Sequence, residues 1–129
     1  MNGPEVYRAA VRIMSIAASE AMARASMEAG DVDLLVAHQA NDRIITEVGG
    51  RLGLGGHTVF SNVERYGNTS AASIPIALCD AADRGALFPG ARFVLTAVGA
   101  GLTWAAGAGL WTAATTQTET RLVTIGANA

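Results

Sequence analysis

Two periodicities alternate along the chain. Over residues 5–29, Val6, Ala10, Ile13, Ala17 and Ala21 return at spacings of three and four, while Arg8, Arg12, Ser15, Ser19 and Glu28 populate the other side. This predicts one long amphipathic helix, with Pro4 suited to its first turn and Gly30-Asp31 supplying a stop. Leu34-Leu35-Val36-Ala37 then runs apolar without alternation, as expected of a strand covered on both faces in a parallel sheet. Asn41 is placed to cap a second helix carrying Ile44, Ile45, Val48 and Leu52, which Gly53 and the Gly55-Gly56 pair end. HTVFSNV (57–63) predicts a second strand and RYGNTS (65–70) a tight loop. A third helix is predicted over about 70–84, with Pro75 tolerable near its start and Gly85 placed to close it. After the turn Phe88-Pro89-Gly90, ARFVLTAV and LTWAAGAGLW read as two strands joined through Gly99-Ala100-Gly101 in an antiparallel hairpin.

The order is therefore αβαβαββ. It predicts an α/β layered fold, a mixed sheet with helices on its faces, whose strand-end loops carry any site. No strand precedes the first helix, which points to a sheet whose first element lies outside this chain. Residues 115–129 (TTQTETRLVTIGANA) are polar and then mildly apolar; they read as a tail, in which RLVTI is a candidate edge strand.

Composition narrows the function classes. At 129 residues the chain is one domain by length, and 50% hydrophobic with 16% charged residues is apolar for a domain that stands alone. Extra buried surface, such as an interface, accounts for this; so does a compact Ala-rich core. A net charge of −2 argues against a nucleic-acid or anionic-membrane partner. One cysteine excludes an internal disulfide framework and suits a reducing cytosol. No run is long enough to span a membrane, and the start lacks a signal peptide's pattern, so a soluble cytoplasmic protein is expected.

Three segments carry candidate chemistry. His38 ends the first apolar run in VAHQAN, Asn68 follows the second strand in GNTS, and Ala100 lies in the glycine turn after the third. Loops after successive parallel strands gather at one sheet edge. A neutral imidazole, a carboxamide and a backbone amide facing one point are donors for a thioester enolate or tetrahedral oxyanion. Each also has an ordinary explanation: a polar cluster capping the next helix, a turn asparagine and a glycine hairpin. No nucleophile belongs to the set. Cys79 sits mid-helix in PIALCDAADRG, beside the acidic Asp80 and without a histidine near it in sequence to activate a thiol; it reads as a small core hydrophobe. His57 reads as a surface loop residue, and two histidines with one cysteine show no metal-ligand spacing.

DLLVAHQANDRII, NVERYGNTSAASIPIAL and AVGAGLTWAAG, in this order, strongly resemble the C-terminal half of the β-ketoacyl-acyl-carrier-protein synthase III family, over residues 1–114. The resemblance implies a thiolase-like fold of two similar halves, usually dimeric, and a decarboxylative Claisen condensation of acyl-CoA with malonyl-acyl-carrier protein. It implies that His38 and Asn68 stabilise the enolate and that the backbone at Ala100 helps hold the thioester oxyanion. It further implies that Asn41 lines the pantetheine tunnel and that Arg43, otherwise a solvated helix charge, docks the carrier protein. The catalytic cysteine would belong to the N-terminal half, the expected partner of this chain, together with acyl-carrier protein, acyl-CoA and a second copy. No cofactor or metal is implied, the thioesters being substrates. Val98 departs from the family, many members carrying a bulky aromatic there, as does the tail after Ala114. Two alternatives are a relative that transfers acyl groups in secondary metabolism without decarboxylation, and a non-catalytic half that binds a carrier protein or partner.

Overall fold

The structure, a computed structural model, describes residues 2–112 and the backbone of 121–128. Helix α1 (Gly3–Arg24) is opened by Asn2, whose side chain accepts from the Glu5 amide at 3.0 Å. It buries Ala10, Val11, Met14, Ala17, Ala18 and Ala21. Strand β1 (Leu34–Ala37) is followed by α2 (Asp42–Arg51), a single turn α3 (Val63–Tyr66) and α4 (Ser73–Asp83), which a 3-10 turn at Ser70–Ala72 leads into. Strands β2 (Arg92–Gly99), β3 (Thr103–Leu110) and β4 (Arg121–Asn128) complete the order.

The sheet runs β1-β2-β3-β4, with β1 parallel to β2 and the later pairs antiparallel. It is the expected mixed sheet with helices on both faces. Leu35 and Val94 pack on one face with α1, α2 and the small residues Ala106 and Ala108, which let a helix rich in alanine lie close. Leu34, Val36 and Phe93 pack on the other with Phe60, Leu87 and the α4 residues Ala77 and Ala81. All four residues of β1 are buried, as a strand covered on both sides requires.

Four expectations change. The first helix ends at Arg24 rather than near residue 29. Its terminus is a Schellman motif, with the Met27 amide bonding the Met22 carbonyl (2.9 Å) and the Ser26 amide bonding Ala23 (3.1 Å). Ser26 takes the left-handed position at φ 55°, where a glycine would have announced the stop. The strand expected over 57–63 contracts to one parallel bridge, Leu35 to Val59, held by Leu35 N–H to the Thr58 carbonyl and Phe60 N–H to the Leu35 carbonyl. The tight loop expected over 65–70 begins inside the helical turn α3. Cys79 is exposed, not a core residue: α4 buries Ser73, Ala77, Asp80 and Ala81, and position 79 lies on the opposite side. RLVTI forms part of β4, the edge strand the sequence allowed, while residues 113–120 lie outside the described residues.

Candidate active site

β1, the Val59 bridge segment and β2 run in parallel, so the loops that leave them meet at one edge of the sheet. The His38 amide donates to the Thr96 carbonyl at 2.8 Å, carrying the β1–β2 pairing one residue past the strand. The chain then turns sharply, Ala40 N–H bonding the His38 carbonyl at 2.9 Å, and Asn41 caps α2 by accepting from the Arg43 amide at 2.9 Å. The turn is braced by Gln39, only 1% exposed. Its Nε2 donates to the carbonyls of Ala37 (2.9 Å) and Phe60 (3.2 Å), and its Oε1 accepts from the Asn62 amide (2.8 Å). Gln39 thereby fastens the loop bearing His38 to the segment that leads to Asn68. Asn62 in turn donates from Nδ2 to Asp80, which also holds Arg84, so α4 is tied into the same network.

The half-buried His38 places Nδ1 3.0 Å from Ser73 Oγ. Burial holds its pKa below the ordinary histidine value, which keeps the ring neutral. Asn68 is exposed and its Oδ1 accepts from the Ser70 amide at 2.9 Å, leaving the carboxamide NH2 as the group it can offer a ligand. Ser70 sits at φ 54°, a costly conformation for a serine that the Asn68 bond helps hold. In the β2–β3 turn, Thr103 Oγ1 donates to the Ala100 carbonyl at 3.2 Å.

His38, Asn68 and Ala100 line a single open cleft of about 870 Å³, whose walls are otherwise mostly apolar: Val6, Ala10 and Met14 from α1, Ile44 from α2, and Val98 and Trp104 from the hairpin. The convergence expected from the three loops is therefore present. Asn41 and Arg43 are not among the lining residues. Both are exposed at the start of α2, where the Arg43 guanidinium lies 5.5 Å from the centroid of the Tyr7 ring. The Tyr7 hydroxyl donates to Glu47, a bond that raises the tyrosine pKa and lowers that of the carboxylate. Cys79 faces a separate depression with Pro75, Ile76 and Asp83, and His57 is an exposed loop residue, as expected. Among the described residues, no three His, Cys, Asp or Glu side chains cluster as metal ligands would, and no helix is long and apolar enough to cross a membrane. The sequence offered no sign of Ser73 as the partner of His38: a serine five residues beyond Asn68 is unremarkable until the loop folds back.

A mixed sheet covered by helices, with a cleft lined by donors at its parallel strand ends, is a thiolase-like α/β half. Residues 22–111 match the family model for the C-terminal part of 3-oxoacyl-[acyl-carrier-protein] synthase III, and the chain belongs to that family. β-Ketoacyl-[acyl-carrier-protein] synthase III of Symbiobacterium thermophilum is 50% identical over 111 residues, 86% of this chain and 34% of that protein. The crystal structure of its Thermus thermophilus counterpart matches with a TM-score of 0.83 at 50% identity, over 88% of this chain and 36% of that one. The priming β-ketosynthase of the R1128 polyketide biosynthetic pathway matches with a TM-score of 0.76 at 40% identity, over 84% of this chain and 33% of that one. The chain thus spans about a third of the length of the relatives it matches.

Proposed function

We propose that this chain is the C-terminal domain of a cytoplasmic 3-oxoacyl-[acyl-carrier-protein] synthase III, an acyltransferase that condenses acyl-CoA with malonyl-acyl-carrier protein. His38 and Asn68 are the donors to the thioester carbonyl of the malonyl group. When the bond to the carboxylate breaks and carbon dioxide leaves, its electron pair enters an enolate whose negative charge gathers on that oxygen. The Asn68 NH2 and the free nitrogen of His38 meet it there, and the backbone at Ala100 faces the acyl thioester. The α-carbon then attacks the acyl group, forming the new carbon–carbon bond and expelling a cysteine thiolate. That cysteine comes from the N-terminal half, since Cys79 lines a separate depression and not the cleft; the chain alone is inactive. Asn41 borders the pantetheine path and Arg43 meets the carrier protein, with a second copy completing a homo-oligomer. No cofactor takes part.

The observation that carries the reading is that His38 and Asn68 share one apolar-walled cleft while each has its other polar atom occupied by the protein. Preorganised donors of this kind act on charge that develops only in the transition state. The retained carboxamide at Asn68 favours condensation over simple acyl transfer. In the full-length enzyme, His38→Ala and Asn68→Ala should each slow carbon dioxide release from a malonyl thioester by about 10²–10³-fold. An unchanged rate in both would overturn the assignment.

A further inference from the structure

Ser73 opens α4 and is 2% exposed, so each of its polar groups needs a partner inside the protein. Two N–H or nitrogen groups approach its oxygen: the Gln39 amide at 2.6 Å and His38 Nδ1 at 3.0 Å. The Gln39 amide can only donate. Were His38 Nδ1 also protonated, Ser73 Oγ would accept twice and its own hydrogen would be left over; among the described residues no third partner is bonded to that hydroxyl. With Nδ1 unprotonated every group is matched: Gln39 N–H donates to Oγ, and Oγ–H donates to Nδ1.

We propose that Ser73 is a positioning residue for the reaction: its hydroxyl fixes the proton of neutral His38 on Nε2 and so makes that nitrogen a donor toward the cleft. The catalytic consequence rests on the reading of His38 as an enolate donor; the tautomer assignment does not. The lowered pKa of the half-buried ring supports it, because only a neutral imidazole has a tautomer to fix. The placement also has a mechanical consequence. Ser73 lies five residues beyond Asn68 on the same loop-to-helix segment, so the strut that orients the imidazole belongs to the segment that presents the carboxamide. A shift of that segment moves both donors together.

The test is a long-range proton–nitrogen correlation on histidine-labelled chain at pH 8, with His57→Gln leaving His38 as the only histidine. A pyridine-type Nδ1 and a pyrrole-type Nε2 are expected. In Ser73→Ala the two shifts should move toward averaged values, and Ser73→Thr, which keeps the hydroxyl, should restore the pattern; circular dichroism on each variant controls for folding. An Nδ1–H tautomer in the unaltered ring overturns the proposal even if Ser73→Ala does not fold, and so does a Ser73→Ala spectrum identical to the starting one. In the full-length enzyme, Ser73→Ala should lower kcat for malonyl decarboxylation roughly 10-fold with little change in KM, by analogy with other partners that orient a functional histidine. A correct spectrum with a His38→Ala enzyme that decarboxylates at full rate would instead overturn the enolate-donor reading, and with it the catalytic role of Ser73.

Discussion

Replacing Gln39 by leucine removes the brace between the two loops that present His38 and Asn68 while keeping the volume of the side chain. Three buried bonds vanish, to the Ala37 and Phe60 carbonyls and from the Asn62 amide. Counting only Phe60 and Asn62, each left buried and unpaired at roughly 1–3 kcal/mol, the loss is about 2–6 kcal/mol. Added apolar burial offsets part of this, so a net destabilisation of about 2–4 kcal/mol is expected, a large share of the stability of a domain this size. Gln39→Glu separates bonding from packing. The carboxyl would retain an acceptor for the Asn62 amide but would turn an oxygen toward two carbonyl oxygens where Nε2 now donates. Only its protonated form fits, so its folded pKa is raised above the ordinary glutamate value of about 4.3. The unfolded chain then releases the proton first as pH rises. Stability should be nearly intact at pH 4 and fall by about 1.4 kcal/mol per pH unit up to the raised folded value. Urea unfolding followed by circular dichroism at pH 4, 5.5 and 7 measures both effects. A leucine variant within 1 kcal/mol of the starting chain, or a glutamate variant with no added pH dependence, would show that the loops are not held together through Gln39.

Adjacent glycines on α2 should respond in opposite directions. A Cβ at Gly49 would collide with Val59 Cγ2 and open the helix-to-bridge contact, so Gly49→Ala should destabilise by about 1–3 kcal/mol despite its better helix propensity. Gly50 has open space around it, and Gly50→Ala should stabilise by about 0.5–1 kcal/mol; equal denaturation midpoints for the two would refute the packing. Because burial lowers the pKa of His38, its proton resonances should titrate with a midpoint below about 6.5. The unfolded chain then takes up the proton first, so the stability linked to His38 is complete above that pH and is lost as pH falls toward the folded value; a midpoint at or above 6.5 contradicts the burial.

The helix ends show what the sequence could and could not reveal. α2 and α4 close with the same Schellman bonds as α1: Leu54 N–H to the Gly49 carbonyl (3.0 Å), and Ala86 N–H to the Ala81 carbonyl (2.9 Å). Their left-handed positions are Gly53 and Gly85, and both stops were legible. α1 uses Ser26 at that position, so its stop is set by the Met22–Met27 closure and by packing, which no local residue type advertises. The strand expected over 57–63 is cut short for a similar reason. Thr58, Val59 and Phe60 have strand-forming side chains, but Gly55-Gly56 before them and the Gln39-bound Asn62 after them leave room for one bridge only. Cys79 failed on phase: an apolar run fixes that a helix has a buried face, not which of two neighbouring positions lies on it.

The site was legible to the extent that topology carries it. Parallel strand direction alone requires the residues after β1, the bridge segment and β2 to meet, and His38, Asn68 and Ala100 do so. Topology brings side chains to an edge; it does not decide which of their atoms face inward. That second step is made by groups with no chemistry of their own to advertise: the Ser70 amide that occupies Asn68 Oδ1, the Ser73 hydroxyl against His38 Nδ1, and Gln39 between the two loops. A carboxamide with its oxygen free, or an imidazole with Nδ1 free, could turn either face to an anion, and a donor pair would become an undirected polar patch. On the proposed function, the preference of the cleft for developing negative charge would therefore reside as much in these orienting bonds as in the two residues they orient.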